Sequence, residues 1–129
     1  MKRDMDIIRL LLLQLESGER PKELKKYSLE QINYNSLLMI EAKLAEGGAF
    51  NRKSLRELGV KIGGNLAEDR VVVLFRLTWA GHDFLDASRD ETLWKKAKAT
   101  VMKPAASFTF DFLKEWLRNE IRARFGGAR

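Results

Sequence analysis

A chain of 129 residues with 45% hydrophobic and 33% charged side chains is long enough for one compact domain with an appendage and a real core. It has no cysteine, which excludes disulfides, zinc–thiolate sites and cysteine nucleophiles, and its single histidine, His82, excludes a histidine cluster. The net charge of +6 is uneven, because residues 91–129 carry 9 basic and 4 acidic side chains. Such a surface favours nucleic acid, an acidic protein or an anionic membrane, and solubility alone also accounts for it.

The first helix is expected from Asp4 to about Glu16, with Asp4 as N-cap and Met5, Ile8, Leu11, Leu12 and Leu15 as its core stripe. Ile7, Leu10 and Leu13 widen that stripe, so the helix must be covered on more than one side. Asp4, Asp6, Arg9, Gln14 and Glu16 crowd the apolar run, and no small-residue cleavage site follows, so no signal peptide is expected. The run Leu10 to Leu13 is too short for a membrane span, and the expected location is the cytoplasm. SGERPKELKKYS reads as a polar connector broken by Pro21, with Lys22, Lys25 and Lys26 in solvent.

Ser28, with Gln31 three residues on, forms a capping-box pattern that opens a second helix ending near Ala45, before Gly47-Gly48. Its apolar residues wrap most of the circumference, which places it at the centre of the core. Its polar remainder holds Lys43 against Glu30 and Glu41, while Asn33, Asn35 and Gln31 are the side chains able to read adenine. NRKSLRELG then reads as a short helical insertion in which Leu55 and Leu58 pack and Arg52, Lys53 and Arg56 are exposed.

Val71 to Phe75 is a β-branched run extended by Arg76 and Leu77, and Thr78 caps the helix that follows, with Ala80, Phe84, Leu85 and Ala87 as its stripe. Val60-Lys61-Ile62 is the expected partner strand, joined through the turn formers of GGNLAEDR. A hairpin feeding a helix is the wing of a winged-helix domain, and equally a part of any small α+β domain with one hairpin. Further on, Asp90 caps a helix in which Leu93, Trp94 and Ala97 pack and Lys95, Lys96 and Lys98 face water. After Pro104 a last helix, about Thr109 to Phe125, groups Phe112, Leu113, Trp116, Leu117, Ile121 and Phe125 on one side, with Arg118 and Arg122 on the other. It is expected to pack on the first helix; the alternative is a homodimer interface made by Phe112, Trp116, Arg118, Arg122 and Phe125.

KRDMDIIRLLLLQLE, LLMIEAKLA and LTWAGHDFLDASRDETLWKKAK together resemble an uncharacterised family of domains found mainly in phage and prophage genomes of bacteria. The specific part is the LTW-x-GH-x-FLD-x-x-RD-x-x-x-WKK run. The resemblance covers most of the chain and implies winged-helix character without implying a reaction. The chain departs from the pattern in its second helix, with Tyr34-Asn35-Ser36 for Tyr-His-Leu and Glu41-Ala42-Lys43-Leu44 for Glu-Ala-Gly-Leu.

The expected fold is therefore α+β and mostly helical: a winged-helix domain over residues 1–89, with a wing hairpin at about 60–77, and C-terminal helices over 90–129. No catalytic constellation is present. His82 and Asp83 are adjacent on a helix and do not face each other. Gly63-Gly64-Asn65 lacks the GK[ST] of a phosphate loop, and Glu68, Asp69, Asp83, Asp86 and Asp90 have no EF-hand arrangement, so neither cofactor nor metal is expected. Trp79, Trp94 and Trp116 have core spacing, with base stacking as the rarer use. The expected role is non-enzymatic. One form is double-stranded DNA binding through phosphate contacts from Lys43, Arg52, Lys53, Arg56, Lys61, Arg70, Lys95, Lys96 and Lys98, with Asn33 and Asn35 on bases. The other is docking onto a host regulatory or defence complex.

Overall fold

Helix α1 (Met5–Ser17) starts because the Asp4 carboxylate accepts the amides of Asp6 (2.9 Å) and Ile7 (3.3 Å), two donors that a helix start leaves unpaired. Ile7, Ile8 and Leu12 are fully buried, and Met5, Leu10 and Leu11 nearly so, which covers the wide apolar face. The computed structural model describes residues 2–59, 70–103 and 108–126. Among these are six α-helices and a two-stranded antiparallel sheet, a mostly helical α+β architecture. The connector after α1 is more than a polar loop, since Lys22–Lys26 make a 3-10 turn that buries Leu24.

Helix α2 (Leu29–Glu41) opens with the expected capping box: the Gln31 amide donates to Ser28 Oγ (3.1 Å) and the Ser28 amide to Gln31 Oε1 (2.9 Å). It ends four residues earlier than the sequence suggests. The Lys43 amide donates to Ile40 O (3.0 Å) and the Leu44 amide to Met39 O (2.9 Å), the paired bonds of a Schellman stop. Lys43 takes the left-handed turn with φ 61°, at the position where the resembled pattern has glycine.

Strand β1 (Ala45–Asn51) therefore occupies residues that read as a helix end followed by a glycine stop. It pairs with β2 (Arg70–Leu77) from Ala45↔Leu77 to Asn51↔Arg70, so among the described residues the hairpin is made by 45–51 and 70–77. Val60, Lys61 and Ile62 lie outside the described residues. Gly47 belongs in a strand here for a steric reason. A Cβ on it would overlap the carbonyl oxygen of Val73 and stand 3.1 Å from both Ile40 Cδ1 and Leu74 Cα. The connection between the strands holds the expected short helix, α3 (Arg52–Glu57), capped by Asn51. Leu55 packs as expected, whereas Leu58 is exposed.

The ladder slips once. Glu46 faces Arg76 and Gly47 faces Leu74, which leaves Phe75 unopposed in a bulge. Strict alternation from buried Leu77 would send Phe75 inward; the extra residue sends Phe75 and Arg76 outward together. Arg76 meets Glu46 with two bonds, Nε to Oε2 at 2.8 Å and Nη2 to Oε1 at 2.7 Å. Both groups are solvated, so the pair adds only about 0–1 kcal/mol.

Thr78 closes the chain onto α2 before α4 (Trp79–Ala87) begins. Its hydroxyl donates to Lys43 O (2.5 Å) and accepts the Gly81 amide (3.1 Å), and its own amide donates to Leu44 O (3.1 Å). Gly81 allows this approach, since a Cβ there would overlap the Leu44 carbonyl oxygen.

The chain divides into two compact units, Met1–His82 and Asp83–Arg129. In the second unit, α5 (Glu91–Thr100) packs on α6 (Phe110–Gly126), burying Leu93, Trp94, Ala97, Leu113 and Leu117. Phe110 meets Phe84 edge-on at 5.7 Å. Phe112 does not join the buried stripe and is 55% exposed. Asp83 receives Arg118 at 3.1 Å and Lys114 at 4.0 Å. Asp90 caps α5 through the Leu93 amide (2.9 Å) and pairs with Arg124 (2.7 Å). The Leu93 amide bond, with help from Arg124, holds its carboxyl below the usual carboxylate range.

Two outcomes follow. Lys43→Gly relieves the left-handed backbone and raises stability by up to about 1 kcal/mol, read as an upward shift in the denaturation midpoint. An acidic pKa held low stabilises the fold above the ordinary carboxylate range, and that contribution disappears as pH falls through the folded value. The stability gap between the wild type and Asp90→Ala therefore narrows in acid, as thermal melts at neutral and strongly acidic pH will show.

Candidate interaction surface

The asparagines of α2 are structural ties. Asn35 is fully buried: its Oδ1 accepts the Asp4 amide (2.8 Å) and its Nδ2 donates to Gln31 O (2.8 Å). It thus holds the start of α1 against α2. Asn33 accepts the Val72 amide at Oδ1 (2.6 Å) and donates from Nδ2 to Arg70 O (3.4 Å), joining α2 to β2. Asn35 is thereby removed from solvent, which corrects its assignment as a base-reading side chain, while half-buried Asn33 spends one acceptor and one donor on β2. What α2 shows to solvent is Glu30, Leu37 and Glu41, with Lys43 just past its end.

Most of the predicted cations of the first unit gather at the far end of the hairpin. Arg70 faces Asn51 in the ladder, Arg52 follows directly, and Lys53 and Arg56 lie one turn apart on α3. Lys53, Arg56 and Arg70 are exposed and make no ion pair among the described residues; Arg52 is half-buried. Glu57 is the neighbouring acid on α3. Lys61 lies outside the described residues.

Lys95, Lys96 and Lys98 are exposed on α5, in the second unit. Lys96 is engaged there, with Glu120 at 3.0 Å and the Trp116 ring centroid at 5.9 Å. Of the proposed dimer residues, Arg118 pairs with Asp83 and Glu115, Arg122 donates to Asn119 Oδ1 (3.0 Å), Trp116 is half-buried, and the Phe125 side chain is outside the described part. Those side chains largely serve their own unit.

Aromatic exposure was the signal that sequence spacing missed. Trp94 is core, but Trp79 is 86% exposed, and Phe75 and Phe50 on the hairpin are 60% and 37% exposed. Helical spacing cannot reveal that Trp79 follows the Thr78 cap on the outer side of α4. Nor can it reveal a bulge. Among the described residues, no group of three or more His, Asp or Glu is placed to hold a metal ion, and no helix is long and apolar enough to cross a membrane.

Fold and surface define a small, mostly helical α+β protein whose first unit carries a hairpin with a cationic end and an aromatic outer face. The chain belongs to the family described as hypothetical protein (DUF2513), which it matches over residues 2–107. It is 30% identical over 121 residues to a Haemophilus influenzae protein named "Uncharacterized protein", covering 89% of this chain and 91% of that one. No solved structure matches it.

Asn35→Ala removes the acceptor of the Asp4 amide and lowers stability by about 1–3 kcal/mol. Chemical denaturation checks the loss. A base-contacting Asn35 would show the reverse, unchanged stability with weakened DNA binding.

Proposed function

We propose that this protein is a non-enzymatic winged-helix protein of phage or prophage type that binds duplex DNA by its phosphates, through the end of the hairpin. The order of elements supports the winged-helix reading: a helix, a short turn of helix, a second helix, then a hairpin and a following helix. The observation that carries the binding mode is the group Lys53, Arg56 and Arg70, exposed and unpaired with carboxylates among the described residues. Cations held this way exchange counterions for phosphate without removing a partner from an acid. With Asn33 and Asn35 occupied internally and Glu30 and Glu41 on the open side of α2, the helix in the recognition position has little with which to read bases. Binding is therefore tolerant of sequence, and the function is regulatory or architectural, placed by analogy of fold.

The second reading is a docking module for a host regulatory or defence complex. Leu37 on α2, Leu58 after α3 and Trp79 on α4 favour it, because large apolar side chains in solvent are typical of protein contacts.

Titration of a labelled duplex by fluorescence anisotropy across a salt series separates the two. DNA binding gives log affinity falling linearly with log salt, about 0.9 per phosphate contact. The double variant Lys53→Ala, Arg56→Ala lowers that slope by about two while the melting temperature holds. Absence of binding at low salt with micromolar protein overturns the DNA reading and leaves docking.

A further inference from the structure

We infer that the outer face of the hairpin is a stacking platform for the bases of single-stranded nucleic acid, with Phe75 as its principal ring. This rests on the phosphate-binding reading above and adds the substrate form that the site accepts.

The first support is the way Phe75 reaches solvent. An aromatic side chain two residues before buried Leu77 would point into the core of a regular strand. The bulge between the Glu46↔Arg76 and Gly47↔Leu74 pairs turns it outward, and bulges commonly re-aim a side chain at a working surface. Phe75 is thus presented to solvent by a specific backbone device, at 60% exposure.

The second support is its company. Phe50 lies on the same face with ring centroids 6.0 Å apart and planes inclined at 52°. At that angle neither ring covers the face of the other, so π surface is left for a ligand. Gly48, two residues before Phe50 on the same side of β1, adds no side chain, and the Phe50 ring leans over it at 3.3 Å from where a Cβ would stand. Val71, opposite Phe50, and Val73, opposite Gly48, complete an apolar strip.

Charge selects the occupant. The ladder runs from Phe50↔Val71 to Asn51↔Arg70 in one step, and Lys53 and Arg56 follow on α3. An apolar aromatic strip that continues into cations without an ion pair among the described residues complements a polymer of flat bases joined by phosphates. A duplex engages the cations through its phosphates but leaves the aromatic strip unused, because its base faces already stack on one another. A peptide would need aromatic or apolar groups next to a run of acids.

The test uses the full chain with labelled oligo(dT) and a duplex of equal length, by anisotropy over a salt series. Phe75→Ala, Phe75→Leu and Phe75→Trp are compared with Phe112→Ala, an exposed ring of the second unit, and each is checked for its thermal melt. Expected is oligo(dT) affinity about tenfold lower for the alanine and leucine variants, restored by tryptophan, with salt slope and duplex affinity unchanged. Wild-type oligo(dT) affinity in Phe75→Leu overturns the inference, as does equal weakening of both probes in Phe75→Ala. Salt-dependent duplex binding without oligo(dT) binding sinks the platform and spares the phosphate reading. If neither probe binds, both fall, and the aromatic strip is a protein contact.

Discussion

The first unit depends on the clasp at Thr78. One residue caps α4 with its hydroxyl, donates that hydroxyl to the carbonyl of Lys43, and ties its backbone to Leu44. The end of α2, the start of β1, the end of β2 and the start of α4 therefore meet at a single point. The Lys43 carbonyl lies in solvent, but the part-buried Gly81 amide would lose its partner without Thr78, and leaving such a group buried and unpaired costs about 1–3 kcal/mol. Gly81 is part of the same constraint, because only a missing Cβ lets α4 come so near the Leu44 carbonyl.

Local chemistry was legible in the sequence wherever it acts over a few residues. Asp4, the Ser28–Gln31 box, Thr78 and Asp90 all cap the helices expected of them, because a cap needs only its own first turn. The stripes of α1 and α5 were legible for the same reason. The strand β1 was not. AEGGAFN has little β-propensity, and its glycines read as a helix stop until α2 and β2 are both in place around Gly47. Register over a connection of this length cannot be seen from either strand alone, so Val71–Leu77 was recognised as a strand while its pairing with β1 was missed.

The candidate surface was legible only in part, and the reason is geometric. Lys53 and Arg56 of α3 stayed on the outside, where charge puts them, whereas Arg52 is half-buried. Asn33 and Asn35 carry the right groups for adenine, and those same groups satisfy the backbone of β2 and α1. An amide side chain offers one acceptor and one donor side, so use inside the fold and use on a base compete. The outward turn of Phe75 depended on a slip of one residue in the ladder, which no periodicity reports.

That slip also leaves the strand able to change its length by one residue. Phe75 has no opposite residue, so the pairs on either side of it keep their register whether or not it is present. A relative could lose a single residue here, or replace it freely, and still form the Glu46–Arg76 pair and the Gly47 contact. The hairpin thereby separates the residue that faces outward from those that hold the ladder, and the two can change at different rates in evolution.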